Sequence, residues 1–151
     1  MNYWLFKSEP EEFSIDMLKR VKREPWGGVR NYQARNFMRD GMQVGDLAFF
    51  YHSNCDLPGI VGICSIASAA HVDASQFDPA SEYHDPASKP DAPRWLCVDV
   101  AFKRKLKRTI SLGELQTHAP ALGDFALTRR GNRLSVLPVT AAQWDYIIAL
   151  E

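Results

Sequence analysis

The stretch at 44–68, VGDLAFFYHSNCDLPGIVGICSIAS, restricts the possible folds more than any other part of the chain. Two apolar runs, 47–51 and 60–67, flank a polar loop at 52–59. Gly45-Asp46 marks a turn into the first run and Pro58-Gly59 a turn into the second. Aromatic and β-branched side chains dominate both runs, which favours strands over helices. Strands joined by so short a loop usually pair antiparallel. Such a hairpin holds Ser53 and Asn54 at the rim of a rigid sheet. A hydroxyl and an amide together donate and accept hydrogen bonds, so the pair either caps the turn or reads a small polar ring.

The chain of 151 residues suits one domain with a sizeable core. It contains no apolar run of about 18 residues, so no membrane span is expected. The opening MNYWLFKSEP turns polar too soon for a secretory signal. Cys55, Cys64 and Cys97 form no CxxC pair, and their odd number predicts a reducing, cytoplasmic setting without disulfides. The histidines at 52, 71, 84 and 118 are scattered, so no metal site is expected. No assembled triad or carboxylate pair marks a catalytic centre. Eighteen basic residues balance eighteen acidic ones, but the balance hides clusters. Lys103, Arg104, Lys105, Lys107 and Arg108 form one basic run, and Lys19, Arg20, Lys22 and Arg23 another. With Arg30, Arg35 and Arg39, and Arg129, Arg130 and Arg133, they give a neutral chain the means to face phosphate.

Along the chain, 3–7 reads as a first strand ended at Pro10. Ser14 reads as the N-cap of a helix with Ile15, Leu18 and Val21 on one face. Its basic end also suits a helix C-terminus, which offers a local reason for that cluster. Trp26-Gly27-Gly28 is a loop without the context of a nucleotide-binding glycine motif. Trp26 there is either a plug for the core or one wall of a pocket. Asn31 caps a helix to about Met38, with Ala34, Phe37 and Met38 toward the core. Arg35 and Arg39 share another face. The segment 69–93 reads as a long irregular excursion: a lid, a partner surface or an insertion. Residues 95–102 form a strand whose Asp99 meets solvent or a basic partner. The basic run then follows as a charged edge. Ser111 opens a short helical turn, and 117–124 reads as loop. A last strand, 134–137, ends at Pro138. Thr140 and Gln143 form a capping box for a terminal helix with Trp144, Ile147 and Ile148 inward. Five short strands with a few helices predict a barrel-like α+β domain.

Several motifs together resemble the EVE domain family. They are WLFKSEP at 4–10, WGGVRNYQARNFMR at 26–39, GDLAFFYHSN at 45–54 with PGIVG at 58–62, FDP at 77–79, PRWLCVDVAF at 93–102 and RLSVLPVTAAQWDYI at 133–147. The resemblance implies a PUA-like pseudobarrel of about five or six mostly antiparallel strands with flanking short helices. The family is similar to YTH domains, which read methylated adenine in RNA. It implies a non-enzymatic reader of a modified base, a modified cytosine in DNA or a modified base in RNA. Carried over position by position, it places Lys7, Ser8, Trp26, Asn31, Tyr32, Ser53 and Asn54 at a base pocket. His84 stands where relatives often carry a second tyrosine. The expected phosphate contacts are Arg30, Arg35, Arg39, Lys103, Arg104, Lys105, Lys107 and Arg108. No cofactor is implied, and the expected partner is nucleic acid bound by a monomer. The alternatives are an enzyme acting on a modified base or nucleotide, and a small-molecule or protein-interaction module.

Overall fold

The computed structural model describes residues 1–151. The chain opens with β1 (Tyr3–Ser8). The Ser14 side chain then accepts the Met17 N–H and starts α1 (Ile15–Val21). Ile15 and Leu18 are buried, but Val21, expected on the same inward face, is 50% exposed. The helix is only two turns long, and Lys22 at φ 72° swings the chain straight into β2 (Arg23–Pro25). Those three residues carry no strand pattern of their own. Their pairing with a long neighbouring edge makes them a strand. Asn31 caps α2 (Tyr32–Asn36) by accepting the Ala34 N–H, and a π-helical turn, Phe37–Gly41, continues it.

The expected hairpin is present as β3 (Leu47–His52) and β4 (Gly59–Ile66), paired antiparallel. Next come β5 (His71–Val72), β6 (Leu96–Cys97) and β7 (Asp99–Ser111). The strand expected at 95–102 is therefore interrupted at Val98 and extended by nine residues, so the basic run lies inside β7 and not beyond its end. The remaining elements are α3 (Leu112–Thr117), α4 (Ala119–Leu122), β8 (Val136–Val139) and α5 (Ala141–Ile148). The helix α4 occupies part of what reads as a loop. β8 passes through Pro138 instead of stopping there. It is tolerated because β8 is an edge strand with a single neighbour.

Six strands form one curled sheet in the order β2-β7-β4-β3-β1-β8. Only β1 and β3 run parallel; every other neighbouring pair is antiparallel. The fold is the α+β half-barrel that the motifs imply. The sheet is covered on both sides, so all eight residues of β4 are buried. Strand alternation divides the core. Phe6, Phe50 and Cys64 face α1 and α2, while Leu5, Phe49 and Ile60 face the helices of the C-terminal third. On that second side α5 has its full capping box, and Trp144 stacks on Phe49 at 3.9 Å between ring centroids. Cys64 and Cys97 are buried, and burial pushes both thiols up to about 12.

The excursion at 69–93 is bonded closely to the domain. Buried Gln76 donates to the carbonyls of Asp73 and Trp95 and accepts from the Ser88 hydroxyl and the Trp95 N–H. The Trp95 indole donates to Asp85. Asp99 meets a basic partner within the fold: it accepts from Arg23 and also contacts His71.

Candidate functional site

The parallel pairing of β1 with β3 sets the ends of both strands side by side. Ser53 N–H donates to the Ser8 carbonyl at 3.0 Å, and Lys7 N–H donates to the Ser135 carbonyl at 2.8 Å. A cavity of about 650 Å³ opens beside this junction. Lys7, Ser8 and Ser53 lie on one side of it, and Trp26 with Gly27 and Gly28 on another. Phe13, Tyr83 and Leu134 add apolar surface.

Trp26 is both plug and wall. It is only 8% exposed, with its ring edge-on to Phe6 at 5.1 Å and to Phe50 at 5.5 Å. It also borders the cavity. The Ser8 hydroxyl donates to the Phe13 carbonyl, which fixes the turn before α1. Lys7 is half-buried and pairs with no carboxylate. Burial holds its ammonium below the ordinary lysine value. A charged group so placed destabilises the folded state until it loses its proton. That penalty applies in full below the folded pKa and vanishes as pH rises to the unfolded value near 10.5. Lys7→Met is therefore expected to be more stable than the parent at pH 7. Urea titrations at pH 7 and above 10.5 should show that gap closing.

Three of the expected pocket residues lie elsewhere. Asn31 is an exposed helix cap. Tyr32 stacks on Trp95 at 4.7 Å and lies under the Arg35 guanidinium. Asn54 turns outward at φ 51° and donates to Glu9. The family resemblance placed all three at a base pocket, but whether a side chain faces in or out depends on what packs against it.

Tyr83 is the main residue that sequence reading missed. His84, which stands at the position singled out, is exposed; the neighbouring tyrosine lines the cavity. Gly28 makes room for it. At φ 83°, Gly28 sits where an added Cβ would lie 2.8 Å from the Tyr83 ring. Arg30 holds the tyrosine there. Its guanidinium donates twice to the Tyr83 carbonyl and also to Val29, Asp73 and Ser75. Burial alone would raise the Asp73 carboxyl, but bonds from Ser75, the Gly28 N–H and Arg30 outweigh it and hold it below the usual range. Arg30, expected at a phosphate, is thus an internal clamp. A second hollow of about 500 Å³ lies across the Gly27–Gly28 wall, with its Asp73 and Ser75 already bonded to each other.

The other expected phosphate contacts are mostly engaged inside the fold. Arg39 pairs with Asp40, Arg104 with Glu151, Lys105 with Asp16 and Arg108 with Glu114. Arg35 donates to the Arg94 carbonyl and to Asn36. Lys103 and Lys107 are exposed, and their ammonium groups enter no ion pair. Arg133, at the cavity mouth, is likewise exposed and unpaired. Four glutamates, Glu9, Glu12, Glu24 and Glu82, also border the cavity. Acids so placed repel phosphate and favour neutral or amino-bearing groups.

The EVE domain profile matches residues 2–150, nearly the whole chain. Mouse thymocyte nuclear protein 1 is 47% identical over 168 aligned residues, which take in 99% of this chain and 74% of the mouse protein. The chain belongs to the EVE domain family. Among solved structures, this EVE domain superposes on a Pseudomonas syringae protein with a TM-score of 0.94 at 48% identity, over 98% of both chains. It superposes on human THYN1 in complex with 5-methylcytosine-containing DNA with a TM-score of 0.91 at 42% identity, over 99% of this chain and 97% of the human one. No helix of this EVE domain is long and apolar enough to cross a membrane.

Proposed function

We propose that this EVE domain is a nucleic-acid-binding module that takes one modified base into the cavity beside Trp26. The observation that carries the reading is the meeting of Lys7, Ser8, Trp26 and Ser53 on one open cavity, in a chain so similar to a DNA-bound relative. A volume of about 650 Å³ lies within the range of small-ligand sites. Trp26 and Tyr83 supply aromatic surface, and stacking a base on such a ring is worth about 1–3 kcal/mol whatever the base. Selectivity must come from the polar rim. The Ser53 hydroxyl and the Lys7 ammonium have no partner in the fold and serve a base edge or its sugar. Phosphate stays outside the acidic mouth and meets Arg133, Lys103 and Lys107. Taking a base out of a duplex costs a few kcal/mol, so single-stranded or distorted nucleic acid binds better.

A binding panel tests this, with modified and unmodified DNA and RNA oligonucleotides at two salt concentrations. The expected result is tighter binding of a modified-base strand than of its unmodified counterpart, with affinity falling as salt rises. Equal affinity for modified and unmodified strands would defeat the reading.

A further inference from the structure

A hollow that recognises only a methyl group and a ring face has a specificity problem. Thymine and 5-methylcytosine carry the same methyl at C5 and stack alike. They differ at one edge: at position 4 cytosine offers an amino donor and thymine an O4 acceptor, and at position 3 cytosine offers an acceptor and thymine an N–H donor. Burying a methyl is worth about 0.8 kcal/mol and does not distinguish the two. A site that rejects the keto base needs, facing position 4, a group on its wall that accepts hydrogen bonds and cannot donate. An ionised carboxylate is such a group.

Glu24 meets the geometric requirement. It stands on β2, paired opposite Val100, so its backbone is held by a regular ladder and not by a loop. It is part-buried and borders the cavity two residues before Trp26. Its carboxylate has no hydrogen-bond or ion-pair partner in the fold, whereas its neighbour Arg23 is bound to Asp99. The other three acids are less suited. Glu9 is engaged by Asn54, and Glu12 and Glu82 are exposed. Resting on the reading of the cavity as a base site, we propose that Glu24 selects an amino-bearing pyrimidine over its keto isostere by accepting the N4 hydrogen of a modified cytosine.

Single-stranded oligonucleotides differing at one position (cytosine, 5-methylcytosine or thymine) test this against the parent, Glu24→Gln and Glu24→Asp. The parent is expected to prefer 5-methylcytosine to thymine by about tenfold or more. Glu24→Gln should bring that ratio close to one, because an amide both donates and accepts. Glu24→Asp keeps an acceptor and should retain a preference for the amino base. Thermal melts of both variants should match the parent closely, since the carboxylate enters no hydrogen bond or ion pair within the fold. A parent that prefers 5-methylcytosine to cytosine but binds thymine equally well overturns the assignment and leaves the base-reading function standing. A ratio unchanged in Glu24→Gln overturns it too, as does a ratio erased by Glu12→Gln or Glu82→Gln in its place. A parent that binds all three strands alike overturns both the assignment and the function.

Discussion

Trp26→Ala is expected to destabilise the domain by about 3–5 kcal/mol and to remove modified-base selectivity. The two effects have one origin. The indole is packed edge-on among Phe6, Phe13 and Phe50, so its removal strips contacts from three aromatic rings at once. The vacancy opens onto the 650 Å³ cavity, so water enters and the cost should fall toward the lower end of that range. Urea denaturation measures the first effect, and the oligonucleotide panel the second. Trp26→Phe separates them: it keeps a ring against Phe6 and Phe50 and should cost less stability than alanine. A Trp26→Ala protein as stable as the parent would refute the packing account. One that still discriminates modified from unmodified strands would remove Trp26 from the site.

Arg30→Ala should be comparably damaging, at about 3–5 kcal/mol, because it leaves Asp73 charged and nearly inaccessible without its cation. The Asp73 side chain is only 5% exposed. The substitution also removes two bonds to the Tyr83 carbonyl and a guanidinium lying over the Trp95 ring at 5.3 Å. The segment around Tyr83 then loses its anchor, and amide exchange at 73–85 should speed up. Lysine restores the charge but not the planar fork, so Arg30→Lys should recover only part of the loss. Salt dependence tells the clamp from a phosphate contact. A phosphate-bound arginine contributes about one unit to the salt slope. The clamp predicts weaker binding with the slope unchanged.

Local sequence determined a good deal. The apolar runs at 47–51 and 60–67 specified β3 and β4 because side-chain chemistry and turn residues act over a few positions. Ser14, Asn31 and Thr140 cap the helices expected of them, since a cap needs only the next three residues. Lys7, Ser8, Trp26 and Ser53 stand together at a cavity, whereas Asn31, Tyr32 and Asn54 do not line it. Long-range pairing decided the rest. Arg23–Pro25 became a strand only because β7 offered an edge, and β7 absorbed a basic run whose charges looked like a stop signal. Tyr83 reaches the cavity through Gly28, Asp73 and Arg30, three positions from two distant segments. All five arginines expected to meet phosphate are engaged by acids or carbonyls within the fold. Charge and polarity are written residue by residue, but which partner satisfies them is a property of contacts that only the folded chain creates.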